Sequence, residues 1–370
     1  MLLNAANLHV GGGVQVATSI IGEISRFAAL PDELVIWVST EVDANLKSLN
    51  YDLSSLRNYE VVDLHGFGMI YSSQMKRLSK AGRVLTIFGP LYSLNKNSVN
   101  IVGFAQPWII YPDNDLTSSM SLLKKIKFRL KYRIQSFFFN RADKLLVELD
   151  HVKKGLLKHH ISDYNSIDVI PNCISSIYLE EDKWQSLPSA IKSNKLKLGF
   201  VGRNYPHKNT AIFPAIVKAL KLNHNIDAEF YVTFSSSEWE ACSHEFRQSA
   251  VNVGILSVAQ CPNFYRSMDA VVFPSLLECF SATPLEAMVM RKPLFSSNFA
   301  FNRDVSKDFA NYFNPSDSDE VADKIATYFL NESSQPDAQC KLDNARLYAI
   351  NFSNAKSRAE SFLSHLISGS

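Results

Sequence analysis

Glu278 and Glu286 bracket the stretch Glu278-Cys279-Phe280-Ser281-Ala282-Thr283-Pro284-Leu285-Glu286, and two permanent cations, Arg203 and Lys208, share Phe200-Val201-Gly202-Arg203-Asn204-Tyr205-Pro206-His207-Lys208-Asn209. A guanidinium grips phosphate oxygens through two parallel bonds, and an ammonium offers a compact charge that can follow a moving leaving group. Together they suit a diphosphate that gains charge as a glycosyl bond breaks. A carboxylate would repel phosphate, so Glu278 suits the neutral part of such a ligand. Its partners there are sugar hydroxyls and an oxocarbenium-like charge. Two other readings stand beside this one: a solvated basic loop at 203–208, and a pair of glycosidase carboxylates.

These residues need elements to hold them. Val271-Val272-Phe273 reads as a buried strand, and Thr283-Pro284-Leu285-Glu286 reads as a helix start with Thr283 as N-cap and Glu286 closing a capping box. That box gives Glu286 a structural reason to exist. Glu278 has none of that kind, and it lies where a strand hands over to a helix whose free N–H groups favour an anion. Gly202 supplies the turn after the strand Leu196 to Val201. Near the amino terminus, Gly11-Gly12-Gly13 separates a strand from a helix. It serves either backbone approach to a diphosphate or a tight turn. It does not match G-x-G-x-x-G, and no Walker lysine follows.

Further strands are expected at Leu2 to Leu8, Leu34 to Val38, Val84 to Phe88, Lys144 to Glu148, Ile167 to Ile170, Ala228 to Phe234, Val251 to Ile255 and Pro293 to Ser296. Helices are expected at Asn209 to Leu222, Pro284 to Met290, Asp319 to Leu330 and Phe352 to Ile367. Strands alternating with helices predict an α/β chain with two doubly wound, Rossmann-like domains and a ligand cleft between them. The division reads as 1–175, a linker at 176–194, a second domain at 195–350 and a closing helix at 351–370. A chain of 370 residues with 46% apolar and 20% charged residues supports two buried cores. A net charge of +2 argues against nucleic acid, and five scattered cysteines argue against a disulfide or zinc framework. No apolar run reaches the roughly 20 residues of a membrane span, and no signal peptide is evident. The expectation is a cytoplasmic protein.

With these motifs in view, the chain resembles the retaining glycosyltransferases of family 4, which have the GT-B fold. The resemblance is strongest from Leu196 to about Pro315 and extends to the amino-terminal glycines, Val169-Ile170-Pro171-Asn172 and the C-terminal helix. It implies a nucleotide-sugar donor, with Arg203 and Lys208 on the diphosphate, Glu278 on the transferred sugar and Glu286 on the ribose. Backbone groups of Cys279, Phe280, Ser281, Ala282 and Thr283 would line the sugar and diphosphate, and Gly12 and Gly13 would close on the donor from the first domain. The family commonly has glycine where Cys279 and Ser281 stand. His65, beside Gly66 and Gly68, and Gln106 are candidates on the acceptor side. The implied reaction keeps the anomeric configuration and needs no obligatory metal or other cofactor.

The acceptor is expected to be a glycan or a polyprenyl-diphosphate-linked saccharide of bacterial polysaccharide or lipopolysaccharide O-antigen assembly. From Leu116 to Ala142 there is no acidic residue, while Lys124, Lys125, Lys127, Arg129, Lys131, Arg133 and Arg141 are interleaved with apolar residues at helical spacing. Residues 122–138 therefore suit an anionic membrane surface on the inner face of the plasma membrane. Equally, they suit a domain helix whose apolar stripe faces a core. A nucleotide-sugar epimerase and a nucleotide-sugar-binding regulatory protein are the functional alternatives.

Overall fold

Short apolar runs followed by helices leave each strand covered on both faces, and that is the environment of a parallel sheet. The computed structural model describes residues 1–66, 73–94 and 97–368. Two parallel sheets result. The first contains β1 (Leu2–Ala5), β2 (Val35–Val38), β3 (Asn58–Val61), β4 (Arg83–Thr86), β5 (Val99–Gly103), β6 (Lys144–Val147) and β7 (Ile167–Val169). The second contains β8 (Leu196–Phe200), β9 (Ala228–Val232), β10 (Ala250–Asn252), β11 (Ala270–Phe273), β12 (Leu294–Ser297) and β13 (Ala310–Phe313). Their orders are β3-β2-β1-β4-β5-β6-β7 and β10-β9-β8-β11-β12-β13. Both therefore reverse direction beside their first strand, between β1 and β4 and between β8 and β11. In sheets of this kind, ligands bind at the carboxyl ends of strands flanking such a reversal.

The chain divides into one unit of Met1–Asn172 with Ser353–Ser370 and a second of Cys173–Phe352. In the first, the helix Ala355–Ser368 packs on the helix Gly12–Ile24. Ala359, Phe362, Leu363 and Leu366 enter the same core as Ile20, Ile21 and Leu85. Arg358 is 4% exposed and donates to Asn172 Oδ1, whose own amide donates to Glu148 Oε1 at 2.7 Å. The second unit is built on aromatic packing, with the Phe213 and Phe230 rings stacked at 3.8 Å.

Several boundaries differ from expectation for identifiable reasons. Residues 176–194 fall within the second unit. They carry 3-10 turns at Ser176–Leu179 and Glu181–Lys183, Tyr178 is buried, and Gln185 N–H donates to Ala259 O at 2.9 Å. The helix expected from Asn209 begins at Phe213, because Asn209 takes a left-handed conformation, φ 55°, and a 3-10 turn follows at Thr210–Ile212. β10 stops at Asn252, whose side chain accepts from the Phe234 and Gly254 N–H groups, and Gly254 then turns with φ 81°. Among the described residues, no helix is long and apolar enough to cross a membrane.

Candidate functional site in the second unit

The two loops with the best claim to chemistry leave β8 and β11, the strands that flank the reversal in the second sheet. After β8, Gly202 adopts φ 153°, a value that side chains disfavour, and its N–H donates to Thr233 Oγ1 at 3.0 Å. The loop is then pinned three more times. Thr210 Oγ1 donates to Asn204 Oδ1 at 2.6 Å, Asn209 Nδ2 donates to Pro315 O at 2.8 Å, and the Leu276 N–H, from the second loop, donates to His207 O at 2.7 Å. The last bond ties the two loops to each other.

That tie brings Lys208 and Glu278 together. Lys208 Nζ donates to Glu278 Oε1 at 2.5 Å, with the two side chains only 16% and 10% exposed. The ammonium also lies 5.3 Å from the centre of the Phe273 ring at the end of β11. One of its three N–H donors is thus committed to a carboxylate, and two are left for an anion. The neighbouring His207 has its pKa lowered, chiefly by burial, which favours the neutral imidazole.

Arg203 is oriented differently. Its Nε donates to both oxygens of Glu238, at 2.8 and 2.9 Å, while its side chain keeps 43% exposure. Glu238 is fixed in turn by the Ser235 and Asn204 N–H groups, at 2.9 and 3.1 Å, within a capping box. Burial opposes its ionisation, but the bonds from Ser235, Arg203 and Asn204 prevail and hold its carboxyl below the usual range. The Glu238 bond raises the guanidinium further still. Glu238 orients the loop's arginine, and the sequence reading missed it. Its one local sign is Ser235 three residues earlier, which reads as a helix cap rather than a site.

The expected capping box at Thr283 is not formed. The helix Thr283–Val289 has Ala282 as its N-cap and no side-chain cap bond. Thr283 is the first helical residue, and its Oγ1 reaches Val201 O at 3.5 Å instead. Glu286 is drawn away from the helix end by Tyr265, whose hydroxyl donates to Glu286 Oε2 at 2.8 Å. Burial raises the Glu286 carboxyl above its ordinary value, against the lowering effect of bonds from Tyr265 and Tyr178. Between the two glutamates, Cys279 and Thr283 are buried, whereas Phe280, Ser281 and Ala282 are half-buried.

A titration follows from Glu286. Its folded pKa is raised, so the stability linked to its neutral form is complete below the ordinary value of 4.5 and is lost as pH rises through the folded value. Glu286→Gln keeps the side chain uncharged at every pH. Urea unfolding of the full chain across weakly acidic pH should then lose up to about 1.4 kcal/mol per pH unit of downward slope. Equal slopes in wild type and variant would refute this.

The first unit holds the remaining candidates. Gly11 caps the first helix with φ 70°, so the turn needs it, whereas a Cβ on Gly12 would meet nothing within 4 Å. A Cβ on Gly13 would press Leu8 at 3.2 Å. His65 is exposed after β3, stacked on His9 at 4.1 Å, and Gly68 lies outside the described residues. Gln106 follows β5, four strands away, as a half-buried N-cap without a side-chain cap bond. His9, Glu41 and Asp63 bring ligand-type atoms within 4.8 Å of one another. However, His9 Nδ1 faces Glu41 Oε2 and Nε2 faces Leu64 O, both at 3.0 Å, and two acceptors require both nitrogens protonated. Burial works to lower the His9 pKa, but the Leu64 carbonyl and the Glu41 carboxylate raise it overall. Both ring nitrogens of His9 are thus engaged by acceptors, Glu41 on one side and Leu64 O on the other.

Residues 183–344 match the sequence model of the family described as glycosyl transferases group 1. The O-antigen chain mannosyltransferase RfbU of Salmonella typhimurium is 24% identical over 237 residues, which cover 63% of this chain. The chain spans 60% of that relative's length. Among solved structures, HepE of Anabaena in complex with UDP-glucose superposes with a TM-score of 0.71 at 12% identity, covering 99% of this chain and 98% of that one. WaaG, a glycosyltransferase involved in lipopolysaccharide biosynthesis, gives a TM-score of 0.67 at 14% identity, with coverages of 99% and 98%. The chain therefore has the GT-B fold, and its residues 183–344 are similar to the glycosyl transferases group 1 family.

Proposed function

We propose that this protein is a retaining glycosyltransferase of the family 4 type that moves a hexose from a nucleoside diphosphate sugar to a growing bacterial surface glycan, on a lipid carrier or free. The observation that carries the reading is the Lys208–Glu278 pair, a cation and a carboxylate 2.5 Å apart at the strand reversal of the second sheet, within the stretch similar to the group 1 family. A diphosphate needs the cation, and the sugar attached to it needs the carboxylate. RfbU, an O-antigen mannosyltransferase, and WaaG support a surface-glycan setting, and HepE with UDP-glucose supports the donor class.

In this reaction the acceptor hydroxyl bonds to the anomeric carbon on the face from which the diphosphate leaves. The carbon–oxygen bond to phosphate breaks, and the acceptor proton passes to the departing phosphate oxygen. Lys208 and Arg203 balance the charge that accumulates on that oxygen, so no metal is obligatory. Glu278 faces the sugar as positive charge spreads over its ring. Glu286, with one oxygen committed to Tyr265, receives the ribose.

Purified protein incubated with UDP- and GDP-hexoses and a panel of lipid-linked and free saccharides should give one glycosylated product by mass spectrometry. Its anomeric configuration should match the donor's, and turnover should survive chelation of divalent cations. Arg203→Ala should raise the dissociation constant of the free nucleoside diphosphate about tenfold, as fits one charged contact at a partly exposed site. Donor converted to an epimer without acceptor would overturn transfer, as would a product of inverted configuration for the retaining course.

A further inference from the structure

The carboxyl ends of the first three parallel strands bring together side chains that the proposed transfer leaves unused. β1, β2 and β3 lie side by side with Ala5, Val38 and Val61 in register, so the loops that follow them leave one edge of the sheet together. His9 comes from the first loop, Glu41 from the helix Thr40–Ser48 after the second strand, and Asp63 from the third loop. Hydrogen bonds fix these segments to one another. Ser39 Oγ donates to Leu8 O, and the Leu64 N–H donates to Ala6 O at 2.9 Å. The three side chains thus stand on a rigid edge, as a preorganised ligand set requires.

The two nitrogens of His9 have unequal surroundings. Nε2 lies 3.0 Å from the Leu64 carbonyl, which can only accept and so fixes a proton on that nitrogen. Nδ1 faces two carboxylates, Glu41 Oε2 at 3.0 Å and Asp63 Oδ1 at 3.6 Å. Three acceptors that meet in this way require a cation among them. A proton on Nδ1 serves the Glu41 carboxylate but leaves Asp63 beyond bonding distance, whereas a divalent metal engages all three. In a tetrahedral shell with bonds of about 2.0–2.2 Å, donor atoms stand about 3.3–3.6 Å apart. The two separations from Nδ1 straddle that spacing.

The outer contacts have the form that metal sites use. A ligating imidazole donates its other N–H to a carbonyl or carboxylate, as Nε2 does here, and ligating carboxylates are hydrogen-bonded in turn. Asp63 accepts from the Thr40 N–H at 2.9 Å and from Thr40 Oγ1 at 2.7 Å. His65 covers one face of the His9 ring, with ring centres 4.1 Å apart. One imidazole with two carboxylates suits a borderline first-row cation such as Zn²⁺, whereas Mg²⁺ and Ca²⁺ favour shells of oxygen alone.

We propose that His9 Nδ1, Glu41 and Asp63 bind one divalent cation of the zinc class, with water completing the shell. The proton on Nδ1 passes to solvent as the metal enters. The ion staples the loops after β1, β2 and β3 and takes no part in the proposed sugar transfer, so binding is read without turnover.

The test is titration of the metal-stripped full chain with Zn²⁺ by calorimetry and with Co²⁺ by visible absorption. One equivalent should bind, with the Co²⁺ bands of a tetrahedral nitrogen and oxygen shell, and an excess of Mg²⁺ should not displace it. Glu41→Gln and His9→Ala should each weaken binding about a hundredfold or more, since loss of an outer partner alone costs about ten- to a hundredfold. Thr40→Val, which removes only the hydroxyl that holds Asp63, should cost about tenfold. The Glu41 and Thr40 side chains are open to solvent, so these two variants should keep the wild-type circular dichroism spectrum and decide the matter even if His9→Ala does not fold. Absence of saturable Zn²⁺ binding would overturn the proposal. So would equal affinity in wild type and Glu41→Gln, or displacement of the bound ion by Mg²⁺.

Discussion

Glu278→Gln is expected to lower the turnover of the proposed sugar transfer about 10²- to 10³-fold, the scale lost when one preorganised electrostatic partner of a transition state is removed. Nucleoside diphosphate affinity should stay within about threefold. The split follows from where the carboxylate is held. The Glu278 side chain is 10% exposed, so little solvent competes with the charge it offers. Glutamine preserves its length and still accepts from Lys208, so the loop geometry set by the Leu276 to His207 bond is kept. What disappears is the negative charge, and an oxocarbenium-like sugar needs that charge only as the bond breaks. Kinetics under donor saturation, beside calorimetric binding of the free nucleotide, separates the two quantities. Wild-type turnover would remove Glu278 from the chemistry, and a comparable loss of nucleotide affinity would place it on the diphosphate instead.

Glu278 and its surroundings also show how far sequence reasoning reaches. The register of the two glutamates, the strand before them and the alternation of strands and helices were legible, because Val271, Val272 and Phe273 are fully buried and punctuated by turn residues. β3 was not, since Asn58–Val61 is an edge strand with a half-exposed pattern and no apolar run. β5 was hidden by Asn100, a polar residue inside a strand, whose backbone N–H donates to Asp143 Oδ2 at 2.7 Å and whose side-chain Nδ2 donates to Ser98 O at 2.9 Å. The helix Pro336–Asn351 buries only Ala345 and Ala349, too small a face to generate a period. At the site, Thr283-Pro284-Leu285-Glu286 satisfies the local rule for a capping box, yet a hydroxyl from Tyr265 claims the glutamate. Glu238 reaches Arg203 from a helix 35 positions along the chain. Partners brought in by tertiary packing leave no local spacing to read.

The same tertiary pairing makes Lys208 the sharpest test of how stability and chemistry divide. Lys208→Met leaves the Glu278 carboxylate 10% exposed with its counter-ion gone. Breaking a buried ion pair from one side costs about 3–5 kcal/mol, and the residual exposure here places the loss nearer about 3. Turnover of the proposed transfer should fall about 10²-fold or more as well, because the leaving diphosphate loses its compact cation. A fall in stability could by itself explain a fall in rate, and the double variant Lys208→Met/Glu278→Gln removes that ambiguity. With both charges gone, neither is stranded, so urea unfolding should recover most of the lost stability and show a coupling of about 1–3 kcal/mol between the positions. Turnover should not recover: the double variant should be at least as slow as Glu278→Gln alone. Recovery of both quantities together would mean that the pair only stabilises the fold, and the proposed roles in diphosphate and sugar handling would have to move to other residues of the β8 and β11 loops.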